Sequence, residues 1–335
     1  MRQTTTKDGH MHRGLPDDST VATALALAGR APSVHNVQPW RWRIDRHSVH
    51  LYLDPARALP RTDPDRRDVV ISCGAALHHL TVAFTAMGWA SAVTRLPDPA
   101  DENHLATIRL VPHRATGHDI AMSAAIPQRR TDRRRYAPLP LPPGYPGLLA
   151  ERAAALGAMV RVVDQPARRR LVAAARAAAD RHALDPEYGF ELALWSGRHS
   201  SDDGVPARNT PAPRAGDELP ARRFAAPRLL DPATDLDHAD LLVLATPCDD
   251  RRARLRAGEA LSAVLLTATN IGLATCPLTE PLEVGEQRDL VRRGVLNGTA
   301  HPQAVLRVGW APADAEPLPR TPRRPVTDVV LRDEN

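Results

Sequence analysis

The sequence predicts an α+β fold built from two diverged repeats, each a mixed, mainly antiparallel sheet packed on helices. Two observations carry this reading. A strand, long helix, strand order in the first third of the chain returns in the last third. The two long helices also align without gaps: GAALHHLTVAFTAMGWAS (Gly74 to Ser91) set under GEALSAVLLTATNIGLAT (Gly258 to Thr275) leaves Gly74/Gly258, Ala76/Ala260, Leu77/Leu261, Thr85/Thr269, Gly88/Gly272 and Ala90/Ala274 identical. Two Ala/Leu-rich helices can share letters by chance. Glycines at both ends of the match, followed by similar strands, favour an internal duplication.

Each element has a local reason. Asp17, Asp18 and Ser19 can cap a helix through Val21–Ala28, which Gly29 and Pro32 then stop. Alternating apolar residues predict strands at Trp40–Ile44 and Val49–Leu53. Ile71–Gly88 reads as a buried helix and His104–Val111 as a closing strand. In the second repeat, Leu241–Ala245 is a strand, Ala257–Gly272 a buried helix and Ala304–Val308 a strand. Between the repeats, Pro138–Pro146 reads as extended, and Gly147–Ala155 and Pro166–His182 as helices. Residues 1–15 are expected to form a disordered polar tail, 16–118 the first repeat and 119–335 the second. The second repeat includes a connector, Asp185 to Leu229, rich in Pro, Gly, Asp and Arg. So long a loop in a compact fold is functional or disordered. Trp195 and the turn Asp203-Gly204-Val205-Pro206 favour an ordered flap.

Composition narrows the class. The chain has 335 residues, 43% hydrophobic and 25% charged, in the ordinary globular range. No run of about 18 apolar residues predicts a membrane span, and the polar N-terminus lacks the apolar core of a secretory signal. Three cysteines without C-x-x-C spacing indicate neither disulfides nor zinc, and a reducing cytoplasm fits best. Net charge is +5, nearly all from arginine. With only 4% aromatic residues to stack bases, that charge argues weakly for nucleic acid. His78 and His79 lie inside the matched helix without a carboxylate partner at ligand spacing, so they read as core or interface residues. Ser33 has no G-x-S-x-G context, Cys276 reads as a small buried residue, and the pairs Arg66-Arg67 and Arg222-Arg223 are expected at the surface.

Two stretches point to chemistry. RAPSVHNVQPWRWRI (Arg30 to Ile44) ends a helix with far more polar side chains than a stop requires. AIPQRRTDRRRYAP (Ala125 to Pro138) is either a solvated basic surface or a phosphate clamp, since guanidinium forks and the Thr131 hydroxyl suit phosphate oxygens. Ala31, Pro32, Ser33, Asn36, Gln38, Pro39 and Trp40 match A-P-S-x-x-N-x-Q-P-W, and Arg129, Arg130, Thr131 and Arg133 match R-R-[S/T]-x-R. Together with GLATCPL from Gly272 and RRPVTDVV from Arg323, they resemble the FMN-dependent nitroreductase family.

The resemblance covers most of the chain, with one departure. Ordinary members carry both motifs in one subunit and build two flavin sites per dimer. Here the first repeat has only A-P-S, and the second only the arginine segment, with AAALGAMVRVV (Ala153 to Val163) where A-P-S would fall. This resembles the Acg-like branch, a dimer fused into one chain with a lid over the flavin. It implies a nitroreductase-like pseudo-dimer that stays a monomer, with one FMN between its halves.

The resemblance assigns Arg129 and Thr131 to phosphate and ribityl oxygens, and Arg133 to the pyrimidine edge, with Arg130 a lesser candidate. Tyr136 falls one place later than the family's aromatic. Arg323 or Arg324 would close the phosphate site, Arg323 being preferred. Pro32, Ser33, Val34, Asn36 and Gln38 would form the opposite wall. Pro277 and Leu278 would meet the flavin near N5, with Thr279 or Glu280 close by, and Trp195, Asp203, Gly204 and Pro206 would belong to the lid. NAD(P)H would be the hydride donor and a small molecule, nitroaromatic or quinone-like, the acceptor; no catalytic side chain, metal, membrane or nucleic acid is implied. The alternative is a flavoprotein that stores FMN beneath its lid.

Overall fold

A computed structural model describes residues 15–198, 201–233 and 236–331; the first 14 residues of the expected tail lie outside it. The chain begins with α1 (Asp18–Ala28), capped by Asp17, whose carboxylate accepts from Thr20 N at 2.9 Å. Strands β1 (Trp40–Ile44) and β2 (Val49–Leu53) form a hairpin pairing Trp40 with Leu53 and Ile44 with Val49. Helix α2 (Arg67–Ala86) leads into β3 (Trp89–Arg95) and β4 (His104–Pro112).

The middle of the chain is α3 (Gly117–Ala125), α4 (Gly144–Ala154), β5 (Met159–Val162), α5 (Gln165–Ala183), α6 (Pro186–Leu194), β6 (Ser196–Arg198) and β7 (Val205–Pro206). The last part runs β8 (Asp240–Thr246), α7 (Arg251–Asn270), β9 (Ala274–Leu278), α8 (Glu280–Glu283), α9 (Gly285–Gly294), β10 (His301–Gly309) and α10 (Val326–Val329).

The two main sheets have one topology. Strand order is β1-β2-β4-β3 in the first and β5-β8-β10-β9 in the second, so both place their third strand at an edge beside the fourth. All their named pairs are antiparallel. The parallel component comes from the C-terminal arm, where Val330 bridges Trp42 and Leu331 N donates to Trp42 O at 2.7 Å. The tail of the second half thus extends the sheet of the first.

Helices α2 and α7 cross at the centre, and the matched glycines explain how. A Cβ on Gly74 would lie 2.0 Å from Leu255 O, and one on Gly258 would lie 1.9 Å from Ile71 O. The two clashes are reciprocal, as a pseudo-two-fold axis between the glycines requires, and only glycine lets the backbones meet here. His78 and His79 lie at this interface, each with Nδ1 2.8 Å from the shared Ser262 hydroxyl.

Several boundaries differ from the sequence reading. The two central helices start four and six residues earlier than read, because Asp63 and Asp250 cap their first turns with carboxylates. Strands β3, β5 and β9 were not expected, since β3 and β5 bury no residue fully and β9 buries only Thr275 and Cys276. The connector begins as helix α6, capped by Asp185. By length and composition α2 could cross a membrane, yet 72% of its apolar 18-residue stretch is buried inside the protein, as in a core helix. Arg67, expected at the surface, is 1% exposed. It bonds the carbonyls of Pro302 and Gln303, tying α2 to the second sheet.

Candidate functional site

The cleft is assembled by both halves. Pro32–His35 come from the loop after α1, Asp68, Ile71 and Ser72 from α2, and Leu261 from α7. The arginine segment contributes Thr131 and Arg133, and the end of β9 and its turn contribute Cys276–Glu280. Thr210–Ala212, Leu219–Arg222 and Phe224 of the connector complete the wall.

The A-P-S loop is strained and externally braced. His35, Asn36 and Gln38 all have positive φ (45°, 55° and 52°), which costs roughly 1–3 kcal/mol per non-glycine residue and persists only where surroundings over-determine it. Ser33 Oγ accepts from Gln38 N at 3.0 Å, and Ser72 Oγ accepts from Val34 N at 3.1 Å. The Asn36 amide donates to Gly204 O at 2.9 Å and Pro322 O at 3.3 Å. The Gln38 amide donates to Asp202 O at 2.8 Å and accepts from Arg324 N at 2.9 Å. Asn36 and Gln38 therefore clamp connector and C-terminal tail to the loop, while Pro32, Ser33, Val34 and His35 face the cleft.

The residues expected in a lid do not line the cleft but brace the connector beside that clamp. Asp203 pairs with Arg57 and Arg198, each at 3.0 Å, and Val205 N donates to Trp195 O at 2.8 Å. Trp195, Asp203, Gly204 and Pro206 hold the connector in place and are not lining residues. Its next stretch enters the cleft.

Arg222, expected at the surface, is buried there. It pairs with Glu283 at 2.5 Å, meets the Tyr188 hydroxyl at 3.2 Å and His35 Nε2 at 2.6 Å. Burial would lower its pKa, but Glu283, Tyr188 and Glu280 outweigh that and hold it firmly charged. Burial and the neighbouring Arg222 keep His35 neutral by pulling its pKa well down. Phe224 contacts both Arg133, whose guanidinium is 5.1 Å from the ring centroid, and His35, whose ring stands nearly perpendicular with centroids 6.0 Å apart. Cys276 also lines the cleft, its thiol pushed up by burial. Neither Arg222 nor Phe224 was legible as a site residue, because each sits in an irregular Arg/Pro-rich stretch without periodicity.

At the Thr131 end lies a group of arginines without acids. Arg129 Nη1 donates to Thr131 Oγ1 at 3.3 Å, and Arg323 donates to the carbonyls of Arg30 and Ala31 at 3.3 and 3.2 Å. Burial, then repulsion by Arg130, Arg30 and Arg133, lowers Arg129 to about 10. Burial, then Arg129, Arg30 and Arg130, lowers Arg323 to about 9. The Nε atoms of Arg129 and Arg323 are buried without partners. Among the described residues no carboxylate pairs with either guanidinium. A cation pair of this kind, Arg129 buried and Arg323 half-buried, fits an anion such as a phosphate, which would satisfy both the charge and the donors. Arg130 turns to the carbonyls of Pro127 and Arg129, and Arg324 to Gln38 O and Asp328 O.

Of the residues singled out in the sequence, the cleft thus collects Pro32, Ser33, Val34, Thr131, Arg133, Pro277, Leu278, Thr279 and Glu280. Arg129 and Arg323 stand behind its Thr131 end. No group of three or more metal-ligating side chains occurs among the described residues.

No protein-family model matches the chain. A Mycobacterium tuberculosis (strain H37Rv) protein provisionally named NAD(P)H nitroreductase Rv3131 is 51% identical over 323 residues, covering 96% of this chain and 93% of its own. A second from that strain, provisionally named NAD(P)H nitroreductase acg, is 38% identical over 92% of this chain and 94% of its own. The solved structure of the FMN-dependent nitroreductase NfnB from Mycobacterium smegmatis in complex with NADPH aligns with 64% of this chain and 99% of its own. Its identity of 17% and TM-score of 0.39 are too low to transfer a site. With half its residues shared with such a relative over nearly its whole length, the chain belongs to the NAD(P)H nitroreductase family.

Proposed function

We propose that this protein is an FMN-binding oxidoreductase that takes hydride from NAD(P)H and passes electrons to a small-molecule acceptor, with one flavin per chain held between its halves. The observation that carries the reading is the acid-free pair Arg129 and Arg323, with Thr131, at one end of a cleft lined by the A-P-S loop. FMN supplies the hydride chemistry when bound. The chain's own residues bind and position. Arg129, Arg323 and Thr131 take the phosphate, Pro32–Val34 and Pro277–Leu278 form opposite walls, and Arg133 offers positive charge inside the cleft. His35, held neutral, supplies a hydrogen-bonding edge without adding charge.

One flavin per chain rather than two is supported by the counterpart of this cleft. At the 184-residue offset between Gly74 and Gly258, Thr279 corresponds to Arg95, Asp68 to Arg252 and Ser72 to Arg256. Arg95 turns inward and holds Glu259 through two bonds of 2.7 Å. Three bulky cations therefore stand where the first cleft has small or acidic groups.

A storage role is favoured by one observation: the Arg222–Glu283 pair ties the connector to α8 beside the cleft. Absorption spectra with flavin stoichiometry and stopped-flow mixing with NADPH test both readings. One FMN per chain that bleaches rapidly supports the oxidoreductase. One FMN that stays oxidised supports storage, and a colourless protein that takes up no FMN overturns both.

A further inference from the structure

The arginine group exceeds what one phosphate monoester requires. Arg30 and Arg130 stand beside Arg129 and Arg323, and Arg320 stands beside Arg30 and Arg130 in turn. Arg30 abuts Arg323 through its carbonyl, and Arg130 bonds the Arg129 carbonyl at 2.9 Å. The Nε atoms of Arg30, Arg129, Arg130 and Arg323 are all buried and unpartnered. Among the described residues none of the five guanidiniums makes an ion pair with a carboxylate. The field within the group is likewise one-signed, since the charges acting on Arg30 and Arg130 come only from other arginines of the group. A phosphate monoester brings about −2 charge near neutral pH. The FMN phosphate on Arg129 and Arg323 would leave Arg30, Arg130 and Arg320 uncompensated. Arg320 is exposed and Arg30 half-buried, so this outer part is open to solvent. An unneutralised cation group with buried donors is costly unless an anion completes it.

We propose that this end of the cleft carries a second anion subsite, formed by Arg30, Arg130 and Arg320, that binds a phosphoryl group in addition to the phosphate of FMN. The proposal rests on the flavin reading. Its ligand is a phosphate-bearing molecule, and two sources share that chemistry: the 2′-phosphate of NADPH, or the second phosphate of a flavin diphosphate.

The test is calorimetric titration of inorganic pyrophosphate into the FMN-loaded protein, beside an Arg30→Ala/Arg320→Ala variant. Saturable binding at one per chain, weakened at least tenfold in the variant, is expected. Two further arms separate the sources. Binding of NADPH over NADH that falls at least tenfold in the variant assigns the donor's 2′-phosphate; a like fall in the FAD-over-FMN preference of ligand-free protein assigns a flavin diphosphate. No saturable pyrophosphate binding, or equal binding by the variant, overturns the second subsite even where FMN binds normally. Failure of the flavin reading looks different: the parent protein then takes up no FMN at any concentration.

Discussion

Replacing Gly74 by alanine tests the central crossing of the fold. The new Cβ would sit 2.0 Å from Leu255 O and 2.9 Å from Gly258 Cα. Ordinary van der Waals contact needs about 3.4 Å, so the helices must part by roughly 1.4 Å, a gap that forfeits half or more of the dispersion energy across the seam. Overpacking costs about 1–3 kcal/mol, and the loosened seam raises the total to roughly 3–5 kcal/mol. At about 2–4 °C per kcal/mol, melting should fall by some 10 °C. Gly258→Ala should do the same, since its Cβ meets Ile71 O at 1.9 Å. The double variant should cost less than the sum, because both open one seam. Gly147→Ala is the control: it lies in α4 with nothing within 4 Å of its Cβ, and should be neutral or stabilising by about 0.5–1 kcal/mol. Thermal and urea unfolding followed by circular dichroism measure all four. A Gly74→Ala protein within 0.5 kcal/mol of the parent would refute the reciprocal crossing.

Other perturbations have equally definite signs. Arg323→Met removes an uncompensated, half-buried cation. Ligand-free protein should melt higher while FMN affinity, read by fluorescence quenching, falls about 30- to 100-fold, the worth of a charged hydrogen bond; a melting point and affinity that fall together would exclude the phosphate role. Burial holds His78 down to about 4 and His79 well below its usual value. Because the unfolded chain protonates near 6.5 and these folded histidines do not, stability should fall as pH drops from 6.5 to 4. His78→Gln should flatten that slope in urea titrations, and an unchanged slope would remove His78 as a cause. Arg222→Gln strips Glu283 of its nearest cation and should loosen the connector. Accelerated flavin reduction by NADPH is expected in stopped flow, and an unaltered rate would mean the latch does not limit access.

What the sequence made legible follows how local each cause is. The β1–β2 hairpin could be read to the residue because alternation and the polar turn lie within fifteen positions. The gapless helix match anticipated the glycine crossing, since close backbone approach leaves a direct mark as glycine. Strand β9 was missed because GLATCPL has two small residues, a proline and little alternation; it is a strand because β10 pairs with it, from Val305–Leu278 to Gly309–Ala274. The site divided similarly. Motif residues facing the cleft, such as Pro32, Ser33 and Arg133, could be named in advance, whereas Arg222 depends on Glu283, 61 positions away. Asn36 and Gln38 belong to the same motif, yet their side chains face connector and tail rather than the cleft. A motif records that a position is constrained, and here the constraint on these two is to hold a strained loop.

That bracing links the parts of the site energetically. The loop from His35 to Gln38 holds three left-handed residues, and its clamps come from three separate segments: α2 through Ser72, the connector through Asp202 and Gly204, and the tail through Pro322 and Arg324. The tail segment that clamps Asn36 also carries Arg323, and the connector that clamps Gln38 also carries Arg222. Displacing the connector would therefore remove three of the bonds that hold the strained backbone, Gly204 N to Asn36 O among them, while exposing the cleft. An anion seated between Arg129 and Arg323 would act in the opposite direction, drawing the tail onto Arg30 and Ala31 beside the same loop. Ligand binding and loop order should consequently rise together, because each lowers the cost of the other.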